Sequence, residues 1–469
     1  MDDSTTKRVW VRALGCQMNK LDSQLVLGQL APLGYQPTED ETEADLIIFH
    51  TCSVRQHAED RAYSLIGATR RLLRRRPELV VAVVGCMAQR EGERVRQRAS
   101  HVRLVVGTRM LSHFPELLAH VERTGGALVA IDEAAWAWPR RTARFRQSPF
   151  QAFVAVMRGC DNFCSYCVVP YVRGRAVSRS PADVLSEVEE LVADGVVEVT
   201  LLGQNVDAYG RDCPARGWSL AGLLRRLHEV PGLRRLRFIT SHPRDMSEEL
   251  LRAMSELPRV SPYLHLPAQS GSDAVLRRMR RGYTRARYLD LVERARELVA
   301  GLTLASDFIV GFPGETEVDF AQTVELVRRV GFKNSFIFKY SPRPGTAATK
   351  LADDVPQETK RRRNQDLLDV QAEVSLALNR ELIGQQLRVL VEGPSKRDPS
   401  RLTGRSRGDH IVCFDGPLGL VGGEVEVQVR EATALTLFGD LVEETRRGEA
   451  VSVPVTEGSS RGATGEELR

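Results

Sequence analysis

Three cysteines crowd into CDNFCSYC (160–167): Cys160, Cys164 and Cys167. Thiolates grouped this way in a reducing compartment serve zinc or iron–sulfur chemistry. Structural zinc needs four protein ligands, normally cysteine and histidine. No histidine lies between His120 and His228, and the next cysteine, Cys213, falls in a separate loop. Three ligands without an evident fourth fit a [4Fe–4S] cluster that keeps one iron open better than they fit closed zinc.

Three further cysteines occupy the first third of the chain, in ALGC (Cys16), FHTC (Cys52) and VVGC (Cys86). They lie about one strand–helix unit apart, and each follows a short apolar run within a few residues. In an open α/β sheet the carboxyl ends of the strands form the ligand crevice. Free cysteines are common in cores, but three at matched strand ends favour a second ligand set, again one short of a closed site. Cys213 and Cys413 read as ordinary loop or core thiols.

The elements that must hold these thiols follow from periodicity. VWVRAL (9–14), DLIIF (45–49), LVVAVV (79–84) and VRLVVG (102–107) are each long enough for one buried strand. Helix-like stretches separate them, so residues 7–123 read as a doubly wound parallel α/β sheet. A basic, proline-bearing segment, 124–145, reads as a linker. The rhythm resumes with FVAVM (153–157), EVTLLG (198–203), LRFITS (236–241), YLHLP (263–267), LASDFIVG (304–311) and SFIFKYS (335–341). Six βα units over 146–376 suggest an incomplete (β/α)6 barrel, with functional groups where strands end. Residues 379–444 turn to short strands and glycine turns, a small all-β barrel of OB-like type. The glycine- and serine-rich remainder, 445–469, reads as a disordered tail.

A chain of 469 residues, 42% hydrophobic and 27% charged, is expected to fold into several soluble domains. MDDSTTKRVW carries no apolar signal segment, and no run approaches the roughly 18 apolar residues of a membrane span. The expectation is a cytoplasmic protein without a membrane partner. Eight cysteines there point to metal or redox chemistry before disulfides. The net charge of +5 excludes little.

CDNFCSYC matches the CxxxCxxC motif of the radical S-adenosylmethionine (SAM) enzymes, including an aromatic residue, Tyr166, before the last cysteine. The resemblance implies that the open iron chelates SAM and that electron transfer cleaves it to a 5′-deoxyadenosyl radical. The protein then supplies positioning and exclusion of water. Candidate SAM contacts are Tyr166 and the strand-end residues Gln204, Asn205, Ser241, Gln269, Asp307 and Gly311. SDFIVGFPGE, which contains the last two, resembles the superfamily's glycine-containing adenine contact. Singly each reads as a loop or cap residue; together they line one barrel rim.

Two such cysteine sets with SAM resemble the methylthiotransferases. LGCQMNKLDSQ, HTCSVRQHAEDR and VVGCMAQR are similar to that family's own N-terminal domain, and the C-terminal barrel looks like its TRAM RNA-binding module. The likeness runs from about residue 7 to 441. It implies two [4Fe–4S] clusters and two SAM molecules, one methylating sulfur at the N-terminal cluster and one yielding the radical. It also implies a sulfur donor and a reductant such as flavodoxin or ferredoxin, and a monomer is expected. GCQMN, HLPAQSGSDAVLRRMRRGYTRARY and KYSPRPGTAA resemble the MiaB group, which acts on N6-isopentenyladenosine at position 37 of tRNA, in the anticodon stem-loop. His50, where asparagine usually precedes Thr-Cys, and Ala268, where valine is usual, depart from the pattern without touching a ligand. The same chemistry on threonylcarbamoyladenosine or on a ribosomal protein aspartate stays open, as does a non-catalytic RNA-binding protein with structural metal.

Arginine placement suits an RNA partner. Arg277, Arg278, Arg280, Arg281, Arg285 and Arg287 fall in one acid-free stretch. LRRRP near Arg74, KRRRN at Lys360, and SKRDPSRLTGRSRG with Lys396, Arg405 and Arg407 add further basic runs. Such groups bind phosphates in a salt-sensitive way, although any single run can be a solvated face.

Overall fold

The computed structural model describes residues 6–53, 56–131, 138, 145, 146 and 148–442. The N-terminal sheet is built from β1 (Lys7–Ala13), β2 (Tyr35–Pro37), β3 (Leu46–Thr51), β4 (Val80–Gly85), β5 (Leu104–Val106) and β6 (Leu128–Ala130). All pairs are parallel, in the order β2-β1-β3-β4-β5-β6. Side chains alternate between two helix layers. Leu46, Ile48, Ala82 and Val84 pack with Val26, Leu30 and Phe114, whereas Ile47, Phe49, Val81 and Val83 pack with Ala62, Ile66 and Met87. Burial on both faces explains why these strands are unbroken apolar runs. The order reverses between β1 and β3, which is where a doubly wound sheet opens its crevice. β6 lies inside 124–145, so the sheet extends into the segment read as linker. Most of the remainder of that segment, and the tail 445–469, lie outside the described residues.

The central domain has six parallel strands in sequence order: Gln151–Ala155, Glu198–Leu202, Arg235–Phe238, Tyr263–His265, Thr303–Val310 and Asn334–Lys339. They form two three-stranded sheets linked by the Leu236–Val260 bridge. Among the described residues no ladder joins the first strand to the last, so the barrel is open. The helix Pro181–Ala193 begins as its sequence predicts: Ser180 Oγ accepts from the Asp183 amide and proline occupies the first turn.

The third domain is a closed five-stranded barrel of Gln386–Pro394, Leu402–Ser406, Ile411–Phe414, Glu424–Ala432 and Thr436–Leu441. The helix Gln357–Arg380 runs through the expected boundary, and Asn379 donates to Thr433 O at 2.8 Å. This barrel caps the end of the central barrel where strands begin. Arg235 donates to Glu424 Oε1 at 2.6 Å and to Arg405 O at 2.7 Å, and Arg237 donates to Asp409 Oδ1 at 2.6 Å. The opposite end, where strands finish, meets the N-terminal domain, with Met18 and Leu21 packed against Ala155 and Leu202.

Candidate active site

The loop that follows the first barrel strand folds tightly on itself. Gly159 takes a φ of +72°, and a Cβ there would stand 2.0 Å from Arg175 O. The neighbouring Cys160 amide donates to Gly174 O at 3.1 Å, and Cys167 N donates to Cys164 O at 2.9 Å. The Ser165 hydroxyl and amide donate to Arg278 O and Met279 O at 2.8 and 2.9 Å. Cys160 and Cys164 are buried and Cys167 is half-buried. Burial pushes the Cys160 thiol up to about 11 and the Cys167 thiol to about 12. A coordinated metal reverses that preference, because its own charge deprotonates the thiol. Arg281 faces the same group: Nη1 donates to Cys164 Sγ at 3.4 Å and to the Tyr166 hydroxyl at 3.5 Å, while Nη2 donates to Pro267 O at 2.7 Å.

The other three cysteines converge at the sheet's switch point. Cys16 caps the helix Gln17–Leu30 after β1, Cys52 follows β3, and Cys86 opens the helix Cys86–Glu91 after β4. Gly15 has a φ of +111°, and a Cβ there would stand 2.3 Å from Cys52 Cβ. A hydrogen bond from Cys52, aided by Arg173 and opposed by burial, lowers the Cys16 thiol to about 6; burial raises Cys86. Arg173 is donated by the central domain and bonds Asn19 Oδ1 at 3.0 Å and Asp22 Oδ2 at 2.9 Å. His50, the departure from the family pattern, is fully buried with Nδ1 3.1 Å from Ser23 Oγ and Nε2 3.7 Å from Asp22 Oδ2. Burial lowers it to about 4, so it packs as a neutral ring. The two cysteine sets meet across one short helix, Val169–Arg173, where Cys86 packs with Val168 and Val172.

Comparison with known proteins follows this three-part layout. The model of the Uncharacterized protein family UPF0004 matches residues 8–107, that of the Radical SAM superfamily residues 154–327, and that of the TRAM domain residues 380–442. A tRNA-2-methylthio-N(6)-dimethylallyladenosine synthase of Moorella thermoacetica is 46% identical over 431 residues, 92% of this chain and 97% of its own. One of Rhodopirellula baltica is 44% identical over 458 residues, 93% and 96% of the two chains. The chain belongs to the tRNA-2-methylthio-N(6)-dimethylallyladenosine synthase family. The fold is also similar to the solved radical S-adenosylmethionine methyltransferase TsrM from Kitasatospora setae, at 14% identity and a TM-score of 0.53, with 82% and 81% of the chains covered.

Membership of this synthase family within the radical SAM superfamily brings SAM and a [4Fe–4S] cluster. The donor set fits: Cys160, Cys164 and Cys167 are soft ligands with a guanidinium N–H aimed at one sulfur. Among the described residues no three histidine, cysteine, aspartate or glutamate side chains are close enough to share one metal ion.

The residues expected at the barrel rim divide in two. Gln204 Oε1 accepts the Gly159 amide at 2.5 Å, so it shapes the cysteine loop. Asn205 donates to Asp245 Oδ2 at 2.7 Å, and Asn162 of the cysteine loop reaches the same oxygen at 3.3 Å. Asn205 Oδ1 is buried without a partner, a fit for a polar cofactor group. Ser241 donates to Asp207 Oδ1 at 2.9 Å, and burial raises that carboxyl to about 7. Gln269 has a φ of +69° and its amide donates to Asp307 O at 2.8 Å. Asp307 itself pairs with His265 at 3.2 Å, lower in the barrel. At Gly311 a Cβ would meet Lys360 Cγ at 2.3 Å, and its amide donates to Glu315 at 2.6 Å. Its glycine serves packing against the helix Gln357–Arg380.

The basic residues also divide. Arg277, Arg280 and Lys396 are exposed. Arg278 is half-buried, donating to Gly314 O at 2.9 Å. Arg281 is buried against Cys164. Arg405 pairs with Asp409 at 3.1 Å within the C-terminal barrel, and Arg407 donates to Val260 O at 2.8 Å and docks that barrel on the central domain. Lys360 and Arg363 of KRRRN point inward to Asp353 and Glu315. Arg173, Asp207 and Asp245 were not singled out by sequence. Arg173 sits in VVPYVRG directly after the motif, which is the one local signal available.

Proposed function

We propose that the chain methylthiolates carbon 2 of N6-isopentenyladenosine at position 37 of tRNA, in the cytoplasm, using SAM and two [4Fe–4S] clusters. The observation that carries this reading is the convergence of Cys16, Cys52 and Cys86 at the carboxyl ends of three interior strands, adjoining the loop of Cys160, Cys164 and Cys167. A radical SAM enzyme needs one open cluster; a second thiol set beside it is what sulfur insertion requires. The relatives in Moorella thermoacetica and Rhodopirellula baltica support the same substrate, since their name specifies dimethylallyladenosine in tRNA.

When bound, SAM and the clusters supply the carbon-centred radical and the sulfur. The protein's share is geometric and electrostatic. Gln204 and Gly174 hold the Cys160 backbone. Arg281 stabilises negative charge on Cys164. Met18 and Leu21 pack on Ala155 and Leu202 and exclude water from that part of the domain junction. The exposed Arg277 and Arg280 and the C-terminal barrel engage the RNA backbone, while a reductant and a sulfur donor complete the turnover.

Nucleoside mass spectrometry of tRNA from a deletion strain tests the substrate: 2-methylthio-N6-isopentenyladenosine should vanish and return on complementation. Unchanged levels would sink the reading. Cys164→Ala is expected to abolish SAM cleavage, and Cys52→Ala to spare cleavage but block methylthiolation.

A further inference from the structure

Arg173 belongs by backbone to one cysteine set and by side chain to the other. It ends the short helix that follows Cys167, and the next residue, Gly174, accepts the Cys160 amide at 3.1 Å. Its side chain crosses into the N-terminal domain and is 8% exposed. There Nη2 bonds Asn19 Oδ1 and Asp22 Oδ2 at 3.0 and 2.9 Å. Asn19 is itself fixed to this spot: its Nδ2 donates to Leu14 O at 2.8 Å and its Oδ1 lies 3.9 Å from Cys16 Sγ. Val172, its neighbour on the same helix, packs against Cys86.

The charge balance of this cradle is informative. Asp22 answers one positive charge, yet Arg173 also faces Cys16 and Cys86. A guanidinium keeps its charge in such a site, so each thiolate ligand formed there lies in its field. The fork of N–H groups further fixes where Asn19 and Asp22 stand relative to the Cys160 loop.

We propose that Arg173 is a positioning residue that couples the two cysteine sets, locking the N-terminal cradle to the radical SAM loop and holding a permanent positive charge against the N-terminal cluster, whose reduction potential it raises. The assignment rests on the two-cluster reading above. A purely structural ion pair would alter stability and leave the potential of folded, iron-loaded protein unchanged.

The test uses the full chain in a Cys160→Ala/Cys164→Ala/Cys167→Ala background, reconstituted anaerobically, so that iron reports the N-terminal set alone. Iron content is measured first, then an EPR-monitored redox titration of Arg173→Met, Arg173→Lys and Asp22→Asn. The expected pattern is a lower potential for Arg173→Met, a value near the parent for Arg173→Lys, and a higher potential for Asp22→Asn. Opposite shifts from two members of one ion pair are not the signature of general loosening. If Arg173→Met holds no iron, Arg173→Gln, which removes the charge but keeps a donor for Asn19 or Asp22, is titrated in its place, and a potential equal to the parent's overturns the assignment. Equal potentials, or shifts of the same sign for Arg173→Met and Asp22→Asn, would overturn the assignment while sparing the two-cluster reading. No iron in the background protein would overturn both.

Discussion

Arg281 Nη1 lies 3.4 Å from Cys164 Sγ, although Arg281 belongs to an acid-free stretch with six arginines. It is buried, and its other contacts are Pro267 O, the Tyr283 hydroxyl at 3.2 Å and the Tyr166 hydroxyl. These partners hold the loop bearing the radical SAM cysteines. Arg281→Leu is expected to cost about 1–3 kcal/mol, from carbonyl and hydroxyl groups left unpaired. It should also reduce SAM cleavage by losing the charge beside Cys164. Thermal unfolding and 5′-deoxyadenosine release measure the two effects. Arg281→Lys keeps the charge but cannot serve Cys164 and Pro267 together, so it should recover part of the activity and little of the stability.

Gly15→Ala tests the N-terminal cradle without touching a thiol. The φ of +111° disfavours any side chain, and the new methyl would start 2.3 Å from Cys52 Cβ. The expected result is loss of roughly half the reconstituted iron, assuming two four-iron clusters, with SAM cleavage retained by the central domain. Full iron content in folded Gly15→Ala protein would contradict the tight cradle seen here.

Asp409 governs docking of the C-terminal barrel. Its carboxylate lies 2.6 Å from Arg237, 3.1 Å from Arg405 and 3.4 Å from Lys333. Burial alone would raise its pKa, but these three cations outweigh burial and hold it well below the ordinary carboxylate range. A depressed carboxylate pKa adds stability at pH above its unfolded value, near 4. That contribution is lost progressively as pH falls below about 4. Asp409→Asn should cost about 3–5 kcal/mol at neutral pH, since it leaves buried cations without their anion. Its stability curve should then be flatter than wild type across the acid range, as differential scanning calorimetry would record.

The long buried strands and the two sets of three cysteines are readable in the sequence, because two-sided burial demands apolar runs and strand-end cysteines recur with the βα unit. β2 and β6 escaped since YQP and LVA are three-residue edge strands with too little burial to form a pattern. β6 therefore lies within the basic, proline-bearing stretch that reads as a linker. Arg407 reads as an RNA contact because a basic turn says nothing of a neighbouring domain, whose Val260 it meets, while Arg405 pairs with Asp409 inside its own barrel. Lys360 and Arg363 were misread for a related reason. Helical periodicity turns them inward while Arg361 and Arg362, between them, stay exposed. Arg173 and Arg281 gain their meaning only from contacts across large sequence separations.

That sorting of arginines makes a discriminating prediction about RNA. Each phosphate contact contributes roughly 0.7–0.9 to the slope of log affinity against log salt. Arg277 and Arg280 are exposed, whereas Arg407 is spent on the Pro258 and Val260 carbonyls. The double substitution Arg277→Gln/Arg280→Gln should weaken binding of a tRNA anticodon stem-loop and flatten the salt slope by about 1.5, leaving thermal stability near wild type. Arg407→Gln should do the reverse, lowering stability by about 1–3 kcal/mol as two carbonyls lose their donor, with the salt slope kept. Binding measured by fluorescence anisotropy over a salt series separates the two. An unchanged slope in the double variant would mean that the RNA backbone passes over a different face of the protein.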